Sequence, residues 1–446
     1  MQETQNKLNY RRTFFIGLAF LSICAFWQMY DNMIPLILQN TFHLGETVTG
    51  MLMAMDNVLA LVLLPVFGAL SDKVDTRFGK RTPFIVSGTV LAVIFMLLLP
   101  IADRTKNLWL FVTALFATLL AMGLYRSPAV ALMPDLTPNH LRSRANAVIN
   151  LMGAVGGVYA LIMIKILVGK GDTPDYLPLF VSIAALMVLA VGILLITVRE
   201  GKLRQSLRET EEPGAKEQEG PGSENVMNEA HKTSPSREEK GIPKDVKRSM
   251  IFMLSSIFLW FTAYNAVTTA FSRYTRVVWK MEGGSFADCL MVATVAAIIS
   301  YIPIGSISSK FGRKKTIMGG VLLMAACYGG AIFAGRYHPA VNVAFALIGV
   351  AWAAINVNSY PMIVEMGRGS NIGKFTGTYY TFSMAAQILT PVLSGFLLEN
   401  ISYRTLFPYA LVFSLLAFLT MSQVRHGDVK PLKKENVLDN FDVEEE

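Results

Sequence analysis

The chain is poor in charge, in cysteine and in histidine, and each scarcity narrows what it can be. Only 16% of its 446 residues are charged, against roughly 25% in an ordinary soluble protein. With 53% hydrophobic residues, the composition suits lipid. Cys24, Cys289 and Cys327 fall in or beside apolar runs. An odd count without motif spacing supports neither a disulfide framework nor a metal site, so they read as small apolar residues. His43, His140, His231, His338 and His426 lie in loops, linker or tail. No metal-ligand or nucleophile-triad spacing follows from them, and no cofactor is expected. A membrane-bound enzyme or sensor would need such a constellation or an added domain. The lack of a Walker-type loop argues against ATP-driven pumping by this chain alone.

What is present is a succession of apolar runs about 20 residues long, the length that spans a hydrocarbon core at 1.5 Å per residue. They predict helical spans at 13–37, 47–70, 83–102, 108–132, 145–168, 177–198, 250–277, 286–308, 315–335, 341–364, 375–398 and 404–424. The start, Asn9-Tyr10-Arg11-Arg12-Thr13-Phe14-Phe15, looks like a twin-arginine export signal. The run that follows is too long for a signal core, carries Trp27, Asp31 and Asn32, and lacks a small-residue cleavage site, so it is read as the first span.

The net charge of +8 is interleaved between apolar runs, which fits membrane topology better than a nucleic-acid partner. Lys7, Arg11 and Arg12, then Lys73, Arg77, Lys80 and Arg81, then Arg142 and Arg144, then Lys310, Arg313, Lys314 and Lys315, then Arg368 and Lys374 all fall on one side. By the positive-inside rule that side is cytoplasmic and holds both termini. A multi-pass protein of the cell membrane is expected, as a monomer. Residues 199–249 are rich in Glu, Lys, Gly, Pro and Ser and cannot bury a core. They read as a cytoplasmic linker, with a short surface helix possible at 201–208. The expected division is a first six-helix bundle at 1–198, the linker, a second at 250–424 and a cytoplasmic tail at 425–446.

The two halves are related. Leu21-Ser22, Trp27 and Asn32 recur at one offset as Leu254-Ser255, Trp260 and Asn265. Asp135 and Arg144 recur with the same spacing as Glu365 and Lys374. Gly68 to Arg81 recurs, shortened, as Gly305 to Lys314. Six spans, a linker and six related spans form the architecture in which a solute site lies at midplane between two rocking bundles.

The stretch Gly68-Ala-Leu-Ser-Asp72-Lys-Val-Asp-Thr-Arg77-Phe-Gly79-Lys80-Arg81-Thr-Pro83-Phe84-Ile85 resembles the loop signature between helices 2 and 3 of the major facilitator superfamily. The extra residues before Gly-Lys-Arg, and the Pro-Phe-Ile after it, are similar to the sucrose-transporter and glycoside-pentoside-hexuronide symporter branch. So are Phe258-Leu-Trp260-Phe261-Thr-Ala-Tyr264-Asn265-Ala266-Val267 in span 7 and Arg126-Ser-Pro128 with Asp135-Leu136 around the end of span 4. The likeness covers nearly the whole chain except linker and tail. It implies an all-α membrane protein, a 12-helix major facilitator fold of two pseudo-symmetric six-helix bundles. Two positions depart from the pattern: the second copy of the loop has Ser309 at the Asp position, and span 7 has Thr268 where relatives often carry an acid.

At the loop, Asp72 stands at a helix end within reach of the start of span 11 near Gly373 and Lys374, where orphan N–H groups and the helix dipole attract an anion. Arg77, Arg81, Arg142 and Arg144 around Asp135, with Arg313 and Lys374 around Glu365, are expected to pair while the inner side is closed and to part when it opens. The resemblance implies that this network is the cytoplasmic gate. Alternatively they are topology charges that pair incidentally.

Ionisable groups inside spans are costly and usually face a cavity. Asp56 lies roughly 13 Å into span 2 at helical rise, beside Asn57, and can load and release an ion. Asp31 is shallower and is either a second coupling group or a solvated residue at the mouth. Arg126 can pair with an acid or bond a sugar hydroxyl. Trp27 with Asp31, and Gln28 with Asn32, are four apart and share helix faces. An aromatic covers the apolar face of a sugar while amides and charges bond its hydroxyls. Asn150 in span 5, Tyr264 and Asn265 in span 7, Asn356 in span 10, and Tyr380 and Gln387 in span 11 complete the expected substrate set. Each could instead tie helices together.

The function expected is proton-coupled symport of a sugar or glycoside by alternating access, with H+ favoured over Na+. The partners are then a small solute, expected to be a saccharide, and the bilayer. The alternative is a drug or metabolite exporter of the same superfamily, whose Gly-Pro signature in span 5 is here Gly153-Ala-Val-Gly156-Gly157, without Pro.

Overall fold

The computed structural model describes residues 8–138, 141–171, 174–201, 203, 243–366 and 372–428. Among the described residues the chain forms α1 (Tyr10–Asn40), α2 (Glu46–Lys73), α3 (Thr82–Arg104), α4 (Leu108–Asp135), α5 (Arg142–Leu167) and α6 (Leu177–Thr197). After the linker come α7 (Lys244–Val277), α8 (Ala287–Phe311), α9 (Arg313–Ala331), α10 (Ala340–Met366), α11 (Ile372–Asn400) and α12 (Leu406–Ser422), the last preceded by a 3-10 turn at Tyr403–Thr405. Among the described residues eleven helices are long and apolar enough to cross a membrane. The other, α9, is a 19-residue helix that opens on Arg313-Lys314-Lys315, charges that dilute its apolar character.

Several helices outrun their apolar cores. The seventh begins at Lys244, ahead of the expected 250, and Arg248 packs on its Phe252 ring at 5.8 Å. Hydropathy reads the part of a helix inside lipid, whereas backbone bonding carries the helix on into water. Of the expected surface helix at 201–208, only Gly201 and Leu203 lie within the described residues.

Polar ties define two faces. On the linker face the end of α6 returns to the start of α3. The Glu200 carboxylate accepts from the backbone N–H groups of Lys80 (2.7 Å), Arg81 (3.0 Å) and Thr82 (2.8 Å) and from Thr82 Oγ1 (2.7 Å). Orphan N–H groups at a helix start favour such an anion. Gly79, at φ +117°, is needed here, because a Cβ would sit 2.2 Å from Glu200. The second half repeats the device in weaker form. Asp428, beyond α12, accepts from Lys314 N at 2.9 Å beside Gly312 at φ +93°.

On the opposite face Thr41 Oγ1 donates to Asp103 at 2.5 Å, and Arg104 pairs with Asp175 at 2.5 Å, joining α1, α3 and the loop before α6. The halves meet on this face. A Cβ on Gly50 would lie 2.1 Å from Pro391 O, one on Gly395 2.5 Å from Glu46 O, and one on Gly284 2.1 Å from Ile164 O. Such approaches need glycine, since any side chain would push the backbones apart. Lys165 pairs across the halves with Asp288 at 2.7 Å.

Candidate functional site

Between the halves lies a cavity of about 900 Å³, within the range of about 300–1,000 Å³ usual for small-molecule sites. Helices α1, α2, α4 and α5 of the first half and α7, α8, α10 and α11 of the second line it. The close approaches given above shut it on the opposite face. Pro134 and Arg142, at the linker-face ends of α4 and α5, belong to its wall, so it reaches towards the linker face.

Arg126 is aimed into the cavity by its neighbours. Tyr125 Oη lies 2.6 Å from Ser22 Oγ and donates to Ala19 O at 3.1 Å, which pins α4 to α1. Ser127 Oγ donates to Leu64 O at 2.8 Å, which pins α4 to α2. With both flanks held, the guanidinium projects between them, 5.8 Å from the Trp27 ring. Trp27 is itself oriented by edge contacts with Phe26 and Tyr30 at 5.2 and 5.3 Å. Asp56 and Asp31 line the cavity together with Arg126. Asp56 Oδ1 accepts from Asn57 N at 2.6 Å and Nδ2 at 2.8 Å.

The second half contributes a different chemistry. Tyr264 stacks flat on Trp352, with ring centroids 3.8 Å apart and planes at 7°, and Phe261 abuts Trp352 edge-on at 5.3 Å. Around this plate stand Asn265, Thr268, Thr269, Asn356, Tyr380 and Gln387, facing Gln28, Asn146 and Asn150 of the first half. Flat aromatic surface and many neutral amides suit a hydroxylated, uncharged solute. The paired carboxyls facing one cation suit a titrating or cation-holding group.

Of the residues singled out from sequence, the structure brings Trp27, Gln28, Asp31, Asp56, Asn57, Arg126, Asn150, Tyr264, Asn265, Asn356, Tyr380 and Gln387 together around one cavity. Asn32 stands apart. It is 1% exposed, donates to Gln28 O at 2.8 Å, and its carbonyl oxygen on the backbone accepts from Ser272 Oγ at 3.3 Å. Trp352 and Tyr301 were not singled out. Trp352 precedes Asn356 by one helical turn in α10, and that spacing was the available signal.

The charged loops pair within each half. Arg81, 5% exposed, donates to Asp72 at 2.5 Å and to Asp135 at 2.8 Å, and also bonds Ser71. Arg313 bonds Glu365. Asp72 therefore faces Arg81 of its own half. The side chain of Lys374 lies outside the described residues. Arg77 packs on the ring of Phe78 at 4.6 Å, and Arg144 stands in the first turn of α5. In the second half Ser309, at the Asp72 position, turns back to Gly305 O at 3.1 Å, so Arg313 has one carboxylate where Arg81 has two.

Two related sixes of membrane-length helices, closed together on one face around a polar central cavity, define a membrane transport protein. The chain belongs to the Major Facilitator Superfamily, whose sequence profile matches residues 16–294 and 278–439. It is a transporter rather than an enzyme. A sucrose transport protein of Arabidopsis thaliana is 28% identical over 120 residues, covering 23% of this chain and 20% of that one. An uncharacterized symporter of Synechocystis is 31% identical over 122 residues, covering 25% of this chain and 22% of that one. These matches thus span about a fifth of each relative's length. Among solved structures, the nucleoside transporter NupG shares the fold with a TM-score of 0.66 at 15% identity, covering 93% of this chain and all of the other. The inward open xylose transporter XylE from E. coli does so at 0.62 and 16% identity, covering 92% and 94%.

Proposed function

We propose that this protein is a proton-coupled symporter of a sugar or glycoside in the cell membrane, with the linker face and both termini cytoplasmic. The observation that carries the reading is the division of labour in the cavity. Asp31, Asp56 and Arg126 gather in the first half, and the Tyr264–Trp352 plate with its ring of amides stands in the second. The partial likeness to a sucrose transport protein and to a symporter supports the same branch.

In this mechanism the saccharide lays an apolar face on the Trp352 and Tyr264 plate or on Trp27 and gives its hydroxyls to Gln28, Asn57, Asn150, Asn265, Asn356, Tyr380 and Gln387. Asp56, aided by Asp31, takes up a proton from outside. Neutralised, it lets the loaded halves rock so that the cavity opens inward, where the proton leaves to water and the Arg126 guanidinium favours the carboxylate left behind. The pairs of Arg81 with Asp72 and Asp135, and of Arg313 with Glu365, hold the loop of each half rigid during this motion. Arg77, Arg144 and Lys374 flank them on the cytoplasmic side.

Exchange of labelled disaccharides and glycosides by the purified protein in liposomes, without any gradient, tests the substrate class. Saturable exchange of at least one neutral saccharide is expected. Exchange confined to charged or apolar compounds would overturn the sugar reading.

A further inference from the structure

On the face away from the linker the halves close around one buried ion pair. Arg273 of α7, 4% exposed, donates from Nε to Glu46 Oε2 at 2.9 Å, and Glu46, 3% exposed, opens α2. The other oxygen of Glu46 accepts from Tyr403, in the turn before α12. Arg273 also donates from Nη1 to Thr269 O at 2.8 Å. Thr269 lines the cavity, so the guanidinium sits one helical turn beyond the cavity's closed end. Beside it Ser272 Oγ reaches Asn32 O across the same seam.

Other polar ties cross the halves on this face, but they are exposed to solvent. Lys165 pairs with Asp288, Thr47 bonds Glu399, and Arg276 reaches Gly171 O. Exposed pairs of this kind are weak in water. The Arg273–Glu46 pair differs, because removing one partner strands the other charge in a dry place, whereas removing both together is nearly neutral.

We propose that Arg273, Glu46 and Tyr403 form the latch that holds this face shut, so that loading from that side requires the pair to part and be hydrated. The latch links three elements that must separate together: the start of α2, the end of α7 and the approach to α12. Its connection to Thr269 lets the state of the cavity bear on it. The proposal rests on alternating access, and not on which solute or ion is carried.

The test uses the full-length protein in nanodiscs, without substrate or gradient, so its failure is separate from failure of the sugar reading. Ser272→Cys, at a position 1% exposed, reports opening of the seam to a membrane-impermeant maleimide, with Cys24 and Cys289 replaced by Ala. Cys327, buried away from the seam, stays as the control for general loosening. Stranding one charge of a buried pair shifts such an equilibrium on the order of a hundredfold. Arg273→Met and Glu46→Gln are each expected to speed labelling at 272 by at least about tenfold while Cys327 stays protected. The double variant is expected to return close to the parent rate, and Lys165→Gln and Glu399→Gln to stay within about twofold. Should a single variant not fold, Arg273→Lys, which keeps the charge and loses the fork, is expected to give a smaller rise in the same direction. Unchanged labelling in the single variants, a double variant as fast as the singles, or an equal rise at Cys327 would overturn the latch.

Discussion

Replacing Glu200 by Gln alters little in shape and much in bonding. Each carboxylate oxygen accepts backbone N–H donors at the start of α3, Oε1 from Lys80 and Arg81 and Oε2 from Arg81 and Thr82. An amide places its NH2 against one of these sets, so at least one N–H loses its acceptor at a site where Glu200 is 1% exposed. A stranded buried donor costs about 1–3 kcal/mol, and loss of the negative charge at a helix start costs a further ~1 kcal/mol. The sum, about 2–4 kcal/mol, converts at 1.4 kcal/mol per tenfold into roughly 30- to 700-fold faster opening of this turn. Hydrogen–deuterium exchange of the amides at 80–82, read by mass spectrometry, measures it. Asp428→Asn provides the internal comparison. It removes the charge but keeps an oxygen that can accept from its one backbone donor, Lys314 N at 2.9 Å, so exchange at 314 should rise by no more than about tenfold. Equal protection at 80–82 in parent and Glu200→Gln would refute the reasoning, as would an equal rise at both loops.

Asp56→Asn keeps the size of the side chain and an oxygen for Asn57 while removing the charge; uphill accumulation should vanish while saccharide exchange survives, and intact accumulation would contradict the coupling role. Trp352→Ala removes the plate on which Tyr264 lies 3.8 Å away; with about 0.5–1.5 kcal/mol lost from such a contact, saccharide affinity should fall about two- to tenfold, measured by binding to the purified protein, with an unchanged proton dependence.

How far this structure was legible in its sequence differs from residue to residue. Apolar length located the spans because a helix in lipid must satisfy its own backbone, and it missed most at the start of α7, where a polar turn from Lys244 precedes the apolar run while the end at Val277 matches. The repeat showed that the halves match, yet matched residues do different work. Trp27 and Asn265 line the cavity, while their counterparts Trp260 and Asn32 are buried, 0% and 1% exposed, in packing. Helical spacing grouped Trp27 with Asp31 and Gln28 with Asn32, but only the approach of neighbouring helices decides which edge of a stripe faces the solute. Partners were the least legible. Arg273 meets Glu46 at a separation of 227 residues, and Glu200 meets Arg81 at 119. No local pattern encodes such pairs, which arise when the helices are packed.

Proton flow through the carboxyls of the first half is proposed to drive a sugar held between both halves. It is tested most directly by accumulation of labelled disaccharides and glycosides in liposomes carrying this protein, under an imposed pH gradient and, separately, a sodium gradient. Uphill saccharide uptake driven by inward proton flow and abolished by a protonophore is expected. Uptake that follows the sodium gradient and ignores pH would contradict proton coupling, and the absence of saccharide accumulation under either gradient would contradict the claim as a whole.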